Sequence, residues 1–249
     1  MNPRFGRRGR AATCGAIVAA LLLALAPAGP ARAEDGGPED PHRHDATARH
    51  PFDEVDKWVR IFDDPGRDEW QKPQQVVRAL GIEKGQSVAE IGAGTGYFSR
   101  HLAQAVGEEG KVYAIDTEPK MVEYMKGRAE RDRTPQVLPV LGAPDDPRLP
   151  EAGADLVLLV DTYHHIDDRV RYLQRLAGRL RRGGRVAVID FEKRPLPVGP
   201  PLEHKLERGQ VREEFAEAGY ALVEEPGFLP YQYFLIFVPD SGQGAPAGA

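Results

Sequence analysis

From residue 87 onward, short runs of apolar residues alternate with longer segments in which apolar residues recur every three or four positions. The short runs predict buried β-strands, and the longer segments predict amphipathic helices. The predicted strands are 87–91, 112–115, 137–141, 155–160 and 186–191, followed by two final strands at 220–224 and 233–238. The predicted helices are 97–106, 119–131, 169–180 and 211–218. This alternation predicts an α/β fold with a doubly wound, mostly parallel sheet and helices on both faces.

The chain before the first strand divides into a helical part and a polar part. Apolar residues spaced for one helix face predict a helix at 52–61, and a shorter helix is predicted at 74–80. We therefore expect one domain at residues 52–239. Residues 34–51 and 240–249 have no apolar periodicity, so they are predicted to be a disordered linker and a disordered tail.

The first 33 residues have the order of a secretory signal peptide. A basic start is followed by an unbroken apolar run at residues 16–26 and then by Ala31, Arg32 and Ala33. The apolar run is shorter than the roughly 20 residues that span a bilayer. We expect cleavage after Ala33, export to the periplasm or beyond, and no membrane span afterwards. The alternatives are an uncleaved signal that tethers the protein to the membrane, or a start codon placed too early.

Composition narrows the classes of partner and chemistry. The net charge is −5, and residues 1–33 carry five Arg and no acidic residue, so the rest of the chain is more acidic than the whole. This acidity argues against nucleic acid as a partner. The single cysteine, Cys14, lies in the export segment, which excludes disulfides and thiolate chemistry from the mature chain. His42, His44 and His50 are expected to be solvated in the linker, and no metal site is predicted.

A glycine-rich loop follows the first predicted strand. Glu90 stands near the end of that strand, and Gly92, Gly94 and Gly96 follow at alternate positions before the next helix. Glycines there allow backbone to approach a ligand closely, and the helix offers unpaired N–H groups, so we expect a nucleotide-like cofactor. A dinucleotide site has the spacing G-x-G-x-x-G, which this loop lacks because its third glycine comes one position early.

Three further segments complete a resemblance to the class I S-adenosylmethionine-dependent methyltransferases, over about residues 70–239. Residues 112–116 resemble the second-strand motif of that family, residues 154–166 its fourth-strand motif, and residues 180–190 its fifth-strand motif. The family has a seven-stranded sheet that ends in an antiparallel pair, which the last two predicted strands fit. The resemblance implies a methyltransferase with S-adenosylmethionine as its cofactor.

The resemblance also implies roles for individual residues in cofactor binding. The three loop glycines would admit the cofactor, Glu90 would support the loop or meet the cofactor ammonium, and Asp116 would bind the ribose hydroxyls. Many relatives have an aspartate after the third strand that meets the adenine, but Ala143 stands there, so Asp145 or Asp146 is expected instead. The remaining candidates for cofactor binding are Tyr97 and Asp161. Tyr97 either stacks on the ligand or only packs against the protein, and Asp161 would line the wall between cofactor and acceptor.

His164 and His165 are the candidate catalytic residues, because they follow the carboxyl end of a strand where a general base is well placed. The alternative is that one histidine caps or packs the loop and the other lines the substrate pocket. We expect a small-molecule or lipid-like methyl acceptor. The alternative functions are a non-catalytic nucleoside-binding or interaction module and a nicotinamide-dependent oxidoreductase. Neither the acceptor atom nor the oligomeric state follows from the sequence.

Overall fold

The computed structural model describes residues 55–240, and a seven-stranded sheet forms their centre. In chain order the strands are β1 (Ser87–Ile91), β2 (Lys111–Asp116), β3 (Val137–Leu141), β4 (Ala154–Val160), β5 (Leu180–Phe191), β6 (Tyr220–Glu224) and β7 (Gln232–Pro239). Their order across the sheet is β3-β2-β1-β4-β5-β7-β6. The first five strands are parallel, and β7 is antiparallel to both β5 and β6. The predicted fold class is confirmed.

Helices cover both faces of this sheet. They are α1 (Val55–Phe62), α2 (Arg67–Gln71), α3 (Pro73–Ala79), α4 (Tyr97–Val106), α5 (Pro119–Asp132), α6 (Arg169–Ala177) and α7 (Arg208–Glu217), with short 3₁₀ turns at Tyr163–His165 and Leu202–His204. One apolar core joins α3, α4 and α5 to the sheet, and the other joins α6 and α7 to its opposite face. Neighbouring residues of β4 alternate between the cores, with Val157 in one and Leu158 in the other, which explains its continuous apolar run.

The order of the strands reverses beside β1. This strand pairs with β2 on one side and with β4 on the other, so the connections leave it in opposite directions. Ligands of open α/β sheets bind in the crevice that such a switch point opens at the carboxyl ends of the strands. The fold therefore places the loops that follow β1, β2 and β4 around one crevice.

Two element predictions need correction. The helix predicted at 169–180 ends at Ala177, and β5 begins at Leu180, well before the predicted start at residue 186, so that Gly183 and Gly184 lie inside the strand. Leu180 pairs with Ala154 and the register then shifts, so tertiary strand pairing overrides the local glycine signal. Helix α2 was not predicted, because five residues are too few for an apolar period.

The terminal predictions mostly fall outside the described residues. The signal segment, the linker, the first residues of the helix predicted at 52–61 and the tail beyond Asp240 all lie there. Within residues 55–240, no helix combines the length and the apolar character that crossing a membrane requires.

Candidate active site

The glycine loop between β1 and α4 adopts a backbone that only glycine takes without strain. Gly92, Gly94 and Gly96 have φ of 73°, 55° and 79°, all in the left-handed region. A Cβ on Gly92 would lie 2.2 Å from Oγ1 of Thr162, so the loop packs directly against the segment after β4. The loop therefore presents bare backbone at the switch point.

Asp116 ends β2 beside this loop. Its Oδ2 accepts the backbone N–H of Gly94 at 2.7 Å, and its Oδ1 accepts the backbone N–H of Glu118 at 3.0 Å. Burial raises the pKa of Asp116, and these backbone hydrogen bonds oppose the rise. The two N–H groups fix this partly buried carboxylate at the edge of the crevice, where its remaining lone pairs suit the hydroxyls of a ribose.

Glu90 lies beneath the loop and is 3% exposed. The hydroxyl of Ser99, on α4, donates a hydrogen bond to its carboxyl group. Burial raises the pKa of Glu90 to about 8, although the Ser99 hydrogen bond and the charge of Arg67 lower it. The carboxyl group is therefore mostly protonated at neutral pH, and a cation bound nearby would favour its ionised form.

The segment from α1 to α2 covers the glycine loop. A Cβ on Gly94 would lie 3.3 Å from the Phe62 ring, at the end of α1. The carboxylate of Asp63 accepts hydrogen bonds from the Thr95 hydroxyl at 3.1 Å and from the Arg128 guanidinium at 2.7 Å. These contacts place the loop beneath the N-terminal helices and join both to α5.

Tyr97 packs against α2. Its side chain is 2% exposed, its hydroxyl donates a hydrogen bond to Asp68, and the Arg67 guanidinium lies 4.2 Å from the centre of its ring. Burial and the hydrogen bond to Asp68 raise the pKa of the hydroxyl above its usual range. The structure thus uses Tyr97 to attach α2 to the start of α4, and we assign its contacts to packing.

Asp161 follows β4 and joins three parts of the chain. Its φ of 53° is left-handed. Its Oδ2 accepts from Nε2 of Gln71, on α2, at 3.0 Å, its Oδ1 accepts from Nε2 of Gln232, on β7, and Arg67 lies 3.7 Å away. Burial raises the pKa of Asp161 to about 6, against the charge of Arg67. No sequence pattern marked the two glutamines, because both contacts cross more than 70 residues of chain.

His164 is paired with a buried carboxylate that the sequence analysis left without a role. Its Nδ1 lies 2.9 Å and 2.8 Å from the two carboxylate oxygens of Asp190, on β5, and its ring is tilted by 37° against that of His165, with centroids 4.2 Å apart. The side chains of His164 and Asp190 are 3% and 1% exposed. The two histidines thus differ in environment, because the side chain of His164 is buried and His165 lies at the surface.

The two aspartates expected near the adenine make other contacts. Asp145 is exposed, and its Oδ2 lies 2.8 Å from the Arg175 guanidinium, on α6, which lowers the pKa of Asp145. The Oδ1 of Asp146 accepts the backbone N–H of Arg148 at 2.8 Å, and the backbone N–H of Ala143 donates to the carbonyl of Asp146. In this structure the carboxylate of Asp145 is therefore paired with Arg175, and that of Asp146 accepts a backbone hydrogen bond from Arg148. Over residues 55–240, no group of three or more His, Cys, Asp or Glu side chains is arranged for a metal ion.

Known proteins share both this sequence pattern and this fold. A family model described as a methyltransferase domain matches residues 88–184. A solved S-adenosylmethionine-dependent methyltransferase from Aquifex aeolicus is 26% identical, with 72% of this chain and 95% of that chain covered and a TM-score of 0.69. Magnesium protoporphyrin IX methyltransferase from Synechocystis, solved with bound S-adenosylmethionine, is 19% identical and shares the fold, with coverages of 78% and 88% and a TM-score of 0.52.

Among curated proteins, the chain is similar to the ubiquinone/menaquinone biosynthesis C-methyltransferase UbiE of Francisella tularensis subsp. novicida. The two are 25% identical over 130 residues, which is 52% of this chain and 51% of the relative. The chain thus matches about half the length of that relative. The family expected from the glycine loop and the three later motifs is confirmed. Residues 88–184 match a methyltransferase domain, and the chain is similar in sequence and in fold to a solved S-adenosylmethionine-dependent methyltransferase.

Proposed function

We propose that the protein transfers the methyl group of S-adenosylmethionine to a small-molecule or lipid-like acceptor. The observation that carries the proposal is the position of Asp116, whose carboxylate is fixed by the N–H groups of Gly94 and Glu118. In open α/β sheets, a carboxylate at the end of the second strand, next to a glycine loop, binds the hydroxyls of a ribose. The residues present therefore fit the cofactor.

The chemistry divides between cofactor and protein. Bound S-adenosylmethionine supplies an electrophilic methyl group on a sulfonium. The backbone of the glycine loop would hold the amino-acid and ribose parts of the cofactor, and Asp116 would bind the ribose hydroxyls. Glu90 would support the loop on the side nearest the cofactor ammonium. The contribution of the chain is to align the acceptor with the methyl carbon and to exclude water.

An apolar wall beside the crevice supports the acceptor class. The ring of Trp70, on α2, lies 5.7 Å from that of Phe191, at the end of β5, and 6.3 Å from that of Tyr231. Three aromatic rings suit an acceptor with an apolar or aromatic body. The name of the UbiE relative, a C-methyltransferase of ubiquinone and menaquinone biosynthesis, also supports a lipid-like acceptor.

Calorimetric titration of the purified protein with S-adenosylmethionine and with NAD tests the proposal. We expect S-adenosylmethionine to bind at micromolar concentration and NAD not to bind, because the third glycine stands one position early for a dinucleotide. Binding of NAD alone would favour an oxidoreductase. A folded protein that binds neither compound at millimolar concentration would favour a non-catalytic module.

A further inference from the structure

We propose that His164 is the general base of the reaction, oriented by Asp190, and that the acceptor carries a proton on the atom that receives the methyl group. The inference rests on the proposed function and adds to it a catalytic group and a chemical class of acceptor.

The pairing fixes the orientation and the tautomer of the imidazole. Nδ1 of His164 lies within 2.9 Å of both carboxylate oxygens of Asp190, and the backbone N–H of His164 donates to the same carboxylate at 3.3 Å. A carboxylate only accepts hydrogen bonds, so the proton of the neutral ring is on Nδ1 and the basic lone pair is on Nε2. Both contacts of the ring with Asp190 are made by Nδ1, which leaves Nε2 as the nitrogen that can take a proton.

The position of the ring follows from the turn that carries it. The 3₁₀ turn Tyr163–His165 comes directly after Thr162, whose side chain packs on Gly92 of the glycine loop. Asp161 and Asp190 stand at the carboxyl ends of the neighbouring strands β4 and β5. His164 thus belongs to the same crevice as the loop, on the side of β4 away from Asp116.

The charges around His164 suit a base. Burial lowers the pKa of His164, but the charge and the hydrogen bonds of Asp190 outweigh burial and raise the pKa above its usual value. Asp161, at the end of β4, raises it further, and Arg169, on α6, opposes the rise. A positive charge bound in the crevice would shift the ring toward its neutral, basic form.

The proposed step is a methyl transfer coupled to a proton transfer. The acceptor atom attacks the methyl carbon, a new bond to that carbon forms, the carbon–sulfur bond breaks, and its electron pair converts the sulfonium to a thioether. Nε2 of His164 takes the proton that the acceptor atom loses, and Asp190 stabilises the imidazolium that results. Acceptors of this kind are hydroxyl groups, amines and acidic carbon atoms. Thioethers and tertiary amines, which have no such proton, do not need the base.

Nuclear magnetic resonance of histidine-labelled protein tests this inference without knowledge of the acceptor. The pKa of His164 is measured in the complex with S-adenosylmethionine, which carries the sulfonium charge, and in the complex with S-adenosylhomocysteine, which lacks it. We expect the pKa to be lower by about one unit in the first complex, because the cation lies near the ring. His164→Gln assigns the resonance, and His165→Gln leaves it in place.

The outcomes separate the two proposals. Binding of both compounds with the same pKa for His164 would overturn the base assignment and leave the proposed function standing. Binding of neither compound would overturn the proposed function and the inference with it. Asp190→Asn should lower the pKa of His164 in both complexes, because it removes the paired charge but keeps the volume of the side chain. An unchanged pKa in that variant would show that Asp190 does not set the basicity of His164.

Discussion

At the scale of single residues, the site concentrates buried acidic groups that have few charged partners. Glu90 lies beneath the glycine loop with a hydroxyl group as its hydrogen-bond donor, and Asp161 is held mainly by two glutamine amides. Neutral donors compensate a buried carboxylate only in part, so the pKa of each group is raised. Both groups therefore respond to a cation more strongly than exposed carboxylates do.

Glu90 makes stability depend on pH in a predictable direction. The pKa of its carboxyl is about 8 in the folded protein and near the ordinary 4.5 when unfolded, so between these values the folded state holds a proton that the unfolded state has lost. Stability is thus lost as the pH rises toward 8. Relative to Glu90→Gln, the wild-type protein should lose about 3 kcal/mol between about pH 6 and pH 9. Urea unfolding at the two pH values measures this difference.

A matched control for that experiment is Glu123→Gln, since the Glu123 side chain is 78% exposed. Its stability should follow that of the wild-type protein at both pH values. Equal pH dependence in the wild-type protein and Glu90→Gln would show that Glu90 is already ionised in the folded state.

At the scale of secondary-structure elements, the sequence predicted the strands better than the cover over the site. The bounds of β1, β3 and β6 agree with the prediction, because flanking turn residues mark them locally, although of the three only β1 is buried along its whole length. The end of α6 and the start of β5 depend on pairing between Leu180 and Ala154, which no local pattern encodes. Helix α2 is likewise stabilised by contacts with residues far along the chain.

Helix α2 should loosen when its contact with Asp161 is removed. Five residues form no stable helix alone, so the hydrogen bond from Gln71 to Asp161 and that from Tyr97 to Asp68 hold it in place. We expect Gln71→Ala to speed amide hydrogen exchange in α2 by about tenfold, the worth of one hydrogen bond to a charged group, and to leave the middle of α4 unchanged. The exposed Gln74→Ala, on α3, is the control, and unchanged exchange in α2 would contradict this role of Asp161.

At the scale of the whole molecule, the sheet determines which parts of the sequence meet. The motifs after β1, β2 and β4 are separated along the chain, yet the switch point brings them to one crevice. Their association was predictable because the topology of the family is regular. The roles of Gln71, Asp190 and Gln232 were not, because each depends on side-chain contacts between distant elements. Export through residues 1–33 stays a prediction.

The most direct test of the account compares the affinity for S-adenosylmethionine of the wild-type protein with that of Asp116→Ala, by calorimetry. We expect Asp116→Ala to bind about 100-fold more weakly, because the charge-assisted hydrogen bonds to the ribose are lost. Asp145→Ala should bind like the wild-type protein, since the Asp145 carboxylate is paired with Arg175. Thermal unfolding shows that each variant is folded. A folded Asp116→Ala that retains wild-type affinity would contradict the placement of the cofactor at the glycine loop.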